Sequence, residues 1–298
     1  SNIKKIDAHA FRCCTNLKSV TIKEGVTDVD RNSRSNYGSF DTCPNLEILI
    51  MPDVHIGNDT FKGDSKLKDV TLIVGESSPN DGAVVKYFSK NWSNFTRTAQ
   101  QVVMNITLVA ADGVTSSDAW SKIRESNPNA GSTVTDIDGV KYVYMGGQWV
   151  VSEVPSTFVG GFENSGFCFK TIQTYGNTII FPDSEVERIG YEFVAWVDGS
   201  GNTVDSSTTS GYTTPVKFSA TWKAIEYTVN FVTGDKILES KNATIGDEIE
   251  FSMTGYGYMS KTVDADFIEA GDFNVEVSMI DRALTVYAYN VSVIGLDG

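Results

Sequence analysis

The chain has 298 residues and 41% hydrophobic content, enough to build two to four modules with real cores and too much for a disordered tail. Its net charge of −14 comes with no basic footprint, which argues against a nucleic-acid partner. No apolar run reaches the roughly 18–20 residues that span a bilayer, so no membrane insertion is expected within these residues. The acidity is uneven: Lys plus Arg against Asp plus Glu is 10 to 10 over residues 1–73, 6 to 8 over 74–159 and 8 to 20 over 160–298. At least two kinds of module are therefore expected. Ser1 is followed within a few positions by charged residues, so the chain reads as an internal piece of a longer protein.

Three segments align near the start: FRCCTNLKSVTI (11–22), FDTCPNLEILIM (40–51) and FKGDSKLKDVTL (61–72). Phe11, Phe40 and Phe61 fall in register, as do Leu17, Leu46 and Leu67, then Val20, Leu49 and Val70, then Ile22, Met51 and Leu72. The shared pattern is Phe-x5-Leu-x2-apolar-x-apolar. The first spacing exceeds the second, which places an insertion around RNSRSNYG (31–38). Such a period predicts a leucine-rich solenoid, in which each unit buries its apolar face only against its neighbours.

Cys14 and Cys43 sit at the same point of the repeat, where the third unit has Asp64. Recurring at the repeat period, they read as stacked core positions, with Cys13 an extra. Four cysteines without a CxxC and only two histidines, His9 and His55, offer neither a disulfide framework nor a metal cage. Asp28, Asp30 and Asn32 form a D-x-D-x-N run, but Ser33 and Ser39 stand where a calcium loop needs Gly and Glu. These acids, and Asp136 with Asp138, read as solvated turn carboxylates.

AFRCCTNLKSVTIKEGVTDV (10–29) and SFDTCPNLEILIMPDVHI (39–56) resemble the BspA-like leucine-rich repeats of surface proteins. In that family a solenoid often ends in an aromatic cap, and YFSKNWSNF (87–95) fits with Tyr87, Trp92 and Phe95. The resemblance implies a solenoid with its cap over residues 1–103.

Residues 104–158 read as a small α/β module. MNITLVA (104–110) has strand composition, and SDAWSKIRES (117–126) predicts a short helix with Trp120 and Ile123 inward. TVTDIDGVKYVYMGGQWVVS (133–152) predicts a meander turning at Asp138-Gly139 and Gly146-Gly147.

Further on, TYGNTIIFP (174–182), GYEFVAW (190–196) and FSATW (218–222) resemble the internalin-type B repeat, also called the Listeria–Bacteroides repeat, with Ala195 where that family prefers Gly. This implies a β-grasp-like module over 159–224, a sheet on one short helix, with Tyr191, Phe193, Trp196 and Trp222 in its core. Cys168 is expected to be buried. A divergent second copy spans 225–290: ATIGDEIEF (243–251) parallels QTYGNTIIF (173–181), and LTVYA (284–288) stands for FSATW. Residues 291–298 read as the start of a further copy. The fold class expected is thus multidomain and mainly β, a short capped solenoid followed by small α/β and β-grasp-like modules.

Neither histidine carries a nucleophile motif, and no P-loop or G-x-G-x-x-G occurs. No enzyme, cofactor or metal is expected. The families implied by resemblance point to an extracellular recognition or adhesion protein, most often bacterial, whose solenoid binds a protein or glycan, host-derived in an adhesin, and rides on a β-module stalk. The alternatives are a glycan binder using exposed aromatics and a structural spacer of a larger surface protein.

Overall fold

The structure is a computed structural model that describes residues 3–30, 37–57, 59–75, 103–115 and 118–279. The aromatic cap at 87–95, LTVYA at 284–288 and the further copy at 291–298 lie outside the described residues. Two compact units form, Ser1–Ser184 with Trp196–Ser219, and Glu185–Ala195 with Ala220–Gly298.

The first unit opens on the repeats. Each leads from a Phe-containing turn through Leu into a short strand: β2 (Ser19–Thr21), β4 (Ile48–Pro52) and β6 (Asp69–Val74). These pair in parallel with Val20 opposite Leu49 and Leu49 opposite Val70, the alignment read from the sequence. On the other side of the coil β1 (Lys5–Ile6), β3 (Asp28–Val29) and β5 (His55–Ile56) form a second parallel sheet. The rings of Phe11, Phe40 and Phe61 stack with centroids 5.1 and 5.3 Å apart. Phe40, Cys43, Leu46, Leu49, Met51, Phe61, Leu67, Val70, Leu72 and Ile22 are buried, whereas Cys14, Leu17 and Val20 are half-buried and Phe11 is 44% exposed. The gradient follows from stacking, because the first rung has no described neighbour on its outer side. Gly38 enters the second rung against the third, where a Cβ would lie 2.3 Å from the Asp59 carbonyl oxygen, so only glycine fits.

The parallel sheet does not stop with the repeats. β7 (Asn105–Ala110) pairs in parallel along all of β6, and β8 (Thr133–Thr135) adds in parallel to β7. Between them runs α1 (Ala119–Arg124). Met104, Ile106, Leu108, Ala119, Ile123 and Val134 share one core with the rungs, and Trp120 packs against it. The boundary expected at residue 103 is therefore corrected: residues 104–135 continue the solenoid's sheet and close its core. The meander follows, with β9 (Lys141–Met145) and β10 (Gln148–Val159) turning at glycines of positive φ, Gly139, Gly146 and Gly147.

The boundary expected at residue 158 is corrected as well, because it falls inside β10. The far half of that strand pairs antiparallel with β11 (Cys168–Thr174) and in parallel with β14 (Val216–Ala224). Phe158 on β10 is fully buried, with Phe218 at 4.6 Å, Trp196 at 5.0 Å and Phe181 at 5.6 Å between ring centroids. Trp196 belongs to β12 (Tyr191–Val197), which pairs with β13 (Thr203–Val204). No helix occurs in 159–224, so the expected helix of this module is absent and its aromatic rings fill the core instead.

The second unit repeats this sheet plan. β15 (Tyr227–Thr233) is antiparallel to β16 (Lys236–Ala243) and parallel to β19 (Asn274–Glu276), as β10 is to β11 and β14. Phe231 takes the place of Phe158, fully buried and stacked 5.0 Å from Phe251 of β17 (Glu248–Met253). β17 pairs with β18 (Gly257–Thr262), and α2 (Ala265–Ala270) follows, capped by the Asp264 carboxylate accepting from Phe267 N–H at 2.9 Å and closed by left-handed Gly271. The described parallel partner of β15 comes before LTVYA.

The Phe stack sets a graded expectation for stability. Phe61→Ala leaves a cavity inside the stack and costs about 3–5 kcal/mol, whereas Phe11→Ala, at the open end, costs about 1 kcal/mol. Urea titrations of both variants check this ordering, and equal losses would contradict it.

Candidate binding surface

Polar groups tie the rungs where their turns approach. Asp30 follows β3 at positive φ and is only 4% exposed. Its Oδ2 accepts from the Ser39 N–H at 2.8 Å, the Ser39 hydroxyl at 3.0 Å and the Thr60 hydroxyl at 2.8 Å. The reading of Asp30 as a solvated turn carboxylate is thereby corrected: it bridges the chain across the insertion to the third rung. Asp41, also buried, accepts from Arg12 Nε at 3.1 Å, and the Arg12 guanidinium lies 3.8 Å over the Tyr37 ring.

At the cysteine position of the repeat, Asp64 Oδ1 accepts from Cys43 N–H at 2.6 Å, and the Cys43 thiol donates to the Phe11 carbonyl at 3.1 Å. Burial pushes the Asp64 carboxyl up to about 8, partly countered by that N–H and reinforced by the Asp41 charge. Burial and the Asp64 charge push the Cys43 thiol up to about 12, so it stays protonated and inert. All four cysteines are free, and among the described residues no cluster of His, Cys, Asp or Glu is placed to hold a metal. Cys13 is exposed. Cys168 is exposed too, against expectation, because on β11 it alternates with Phe169, whose ring faces Phe158.

What this frame presents is one face of the sheet β2-β4-β6-β7-β8. Strand alternation buries every second residue and turns the others outward. The register aligns Ser19, Ile48, Asp69, Asn105 and Thr133 in one outward row and Thr21, Ile50, Thr71, Thr107 and Thr135 in the next. Asn105 Nδ2 donates to Asp69 at 2.8 Å, and the Thr133 hydroxyl donates to Asn105 at 3.0 Å. Ile48 and Val109 stand exposed among these polar groups.

Residues 1–85 match the family model described as the BspA type leucine rich repeat region, in six copies. The three stacked rungs lie within the matched segment. No curated protein matches the chain. Both histidines sit within the matched segment. His9 packs edge-on to Tyr37 at 5.8 Å, and His55 lies on β5.

The aromatics expected in the B-repeat core divide. Trp196 is buried, Tyr191 and Trp222 are half-buried, and Phe193 is 39% exposed. The core position expected for Phe193 is corrected: it lies three residues from Trp196 on one strand, and odd spacing sends the two rings to opposite faces. Phe193 instead meets Trp222 edge-on at 5.8 Å. Sequence reading also missed a cluster behind the solenoid sheet, in which Trp120 stacks on Tyr142 at 4.1 Å and meets Trp149 at 5.5 Å.

Asp64 makes stability depend on pH in a defined direction. Unfolded it titrates near 3.8 and folded near 8, so the folded chain holds the extra proton between those values. Its contribution to stability therefore falls as pH rises through that window and is level outside it. Asp64→Asn keeps the acceptor for Cys43 and removes the titration. Its melting temperature is expected to exceed that of the unaltered protein by several degrees at pH 8, with the gap closing by pH 5. Parallel melting curves at the two pH values would contradict this.

Proposed function

We propose that the chain is part of an extracellular recognition or adhesion protein that binds a protein ligand on the outward face of β2-β4-β6-β7-β8. The observation that supports this best is the face itself. Five parallel strands in unbroken register carry variable, uncharged-to-acidic side chains over a frame held from behind by the apolar stack. Solenoids bind through such extended surfaces because outward positions vary without disturbing the inward ladder. The match of residues 1–85 to BspA-type repeats, which are typical of bacterial surface and secreted proteins, supports a ligand outside the cell, with host extracellular proteins as the first candidates. The sheet modules built around Phe158 and Phe231 act in this reading as the stalk.

Binding of the full chain to a panel of immobilised extracellular-matrix proteins tests the proposal. Ile48→Arg and Val109→Arg place a charge at the two exposed apolar points of the face. Each is expected to weaken capture by about tenfold or more with an unchanged melting temperature. Capture that survives both substitutions would move the binding site elsewhere. A second reading, glycan binding, has the exposed Phe193 ring beside Trp222 in its favour. It predicts glycan-array signals that disappear in Phe193→Ala while Ile48→Arg retains them.

A further inference from the structure

Tension along a chain reaches a folded sheet through the strand that enters it and the strand that leaves it. The sheet around Phe158 is entered by β10 and left by β14. These two strands are direct neighbours and parallel. Ser156, Thr157, Phe158 and Val159 lie opposite Val216, Lys217, Phe218 and Ser219. A pull toward the N-terminus on β10 and toward the C-terminus on β14 therefore acts along the strands in opposite senses. The evenly spaced bonds of a parallel ladder then carry the load together, as shear. A pull across a ladder, by contrast, opens it one pair at a time.

Side chains lock the same joint. Phe158 and Phe218 are register partners, both fully buried, with ring centroids 4.6 Å apart. Trp196 meets Phe158 edge-on at 5.0 Å. Sliding β14 by one residue against β10 turns Phe218 out of the core and brings Lys217 or Ser219 in. The backbone ladder and the aromatic core must therefore fail in one event. On its other side β10 is held by seven antiparallel pairs with β11, a strand that lies between the entering and leaving strands in sequence and takes no direct pull.

The plan recurs. β15 opens the second sheet and is paired in parallel with β19, from Asn230 opposite Asn274 to Val232 opposite Glu276. Its buried Phe231 faces Val275 across the ladder. The β9-β10 hairpin has the opposite geometry: antiparallel and closed by the Gly146-Gly147 turn, it is loaded across its ladder at Lys141 and Glu153.

We propose that the sheets around Phe158 and Phe231 are load-bearing modules that keep the chain folded under tension between a surface and a bound ligand. This rests on the reading of these sheets as a stalk and gives that stalk a mechanical task.

Single-molecule force spectroscopy on the full chain tests it, with Cys13→Ser, Cys14→Ser and Cys168→Ser to leave only introduced thiols accessible. Handles on Glu153→Cys and Lys223→Cys pull the entering strand lengthwise against the leaving one. Handles on Glu153→Cys and Thr174→Cys pull the register partners of β10 and β11 apart crosswise. Both proteins are first matched to the unaltered chain in melting temperature, and Ser152 replaces Glu153 as the handle position if that match fails. Lengthwise loading is expected to yield in one step that releases about 240 Å of chain. Its force is expected to exceed the crosswise force about twofold or more. Equal forces, a weaker lengthwise force, or lengthwise yielding in a series of small steps would each overturn the proposal. Loss of the force difference with matrix-protein capture intact refutes load bearing alone; absence of capture with the force difference intact refutes the outward-face reading alone.

Discussion

An apolar ladder that no single rung can bury governs the first unit. Phe11, Phe40 and Phe61 lie face to face, and the Leu and Val columns beside them follow the same register. Each ring is covered only by the next, so the stack gains stability with every rung and loses it at both ends. On one side Phe11, in the first described rung, is 44% exposed. On the other, β7, α1 and β8 bring Ile106, Ile123 and Val134 over the third rung. The polar bridges of Asp30 and Asp64 are consequences of the same coil, since stacked turns leave buried N–H groups that need acceptors.

The sheets further along the chain solve a different problem with different means. A central strand flanked by an antiparallel and a parallel neighbour buries one face, and a single buried Phe organises the packing: Phe158 in one sheet and Phe231 in the other. One copy completes its core with Trp196, Phe181 and Phe218, the other with α2 and Phe251. Two sequences with little more than a Gly, an Ile and a Phe in common thus reach one strand plan, because alternation and a filled centre are what the plan requires.

The rungs were legible because their period is the structural register: the residues that align in sequence are the residues that pair. The glycine turns of the meander were legible for a similar reason, since positive φ is a local demand. The joining of β7 to β6 was not, because Asp69 meets Asn105 far along the chain and MNITLVA carries no repeat signature. Asp30 was misread because its partners, Ser39 and Thr60, lie beyond a turn and on another rung. The exposure of Phe193 follows from strand parity, which the resemblance to the B repeat does not encode. The outward rows that form the candidate surface follow directly once β7 and β8 are in register, and could not be assembled before.

The central claim is that residues 104–135 are the closing layer of the repeat stack rather than a separate module. Native-state hydrogen exchange at rising urea, read by mass spectrometry, addresses it most directly. Amides of β4, β6, β7 and β8 should lose protection together, in one opening whose free energy drops throughout when Ile123 is replaced by Ala. If residues 103–135 exchange through an opening of their own while β4 and β6 remain protected, the layer is a separate module and the account fails.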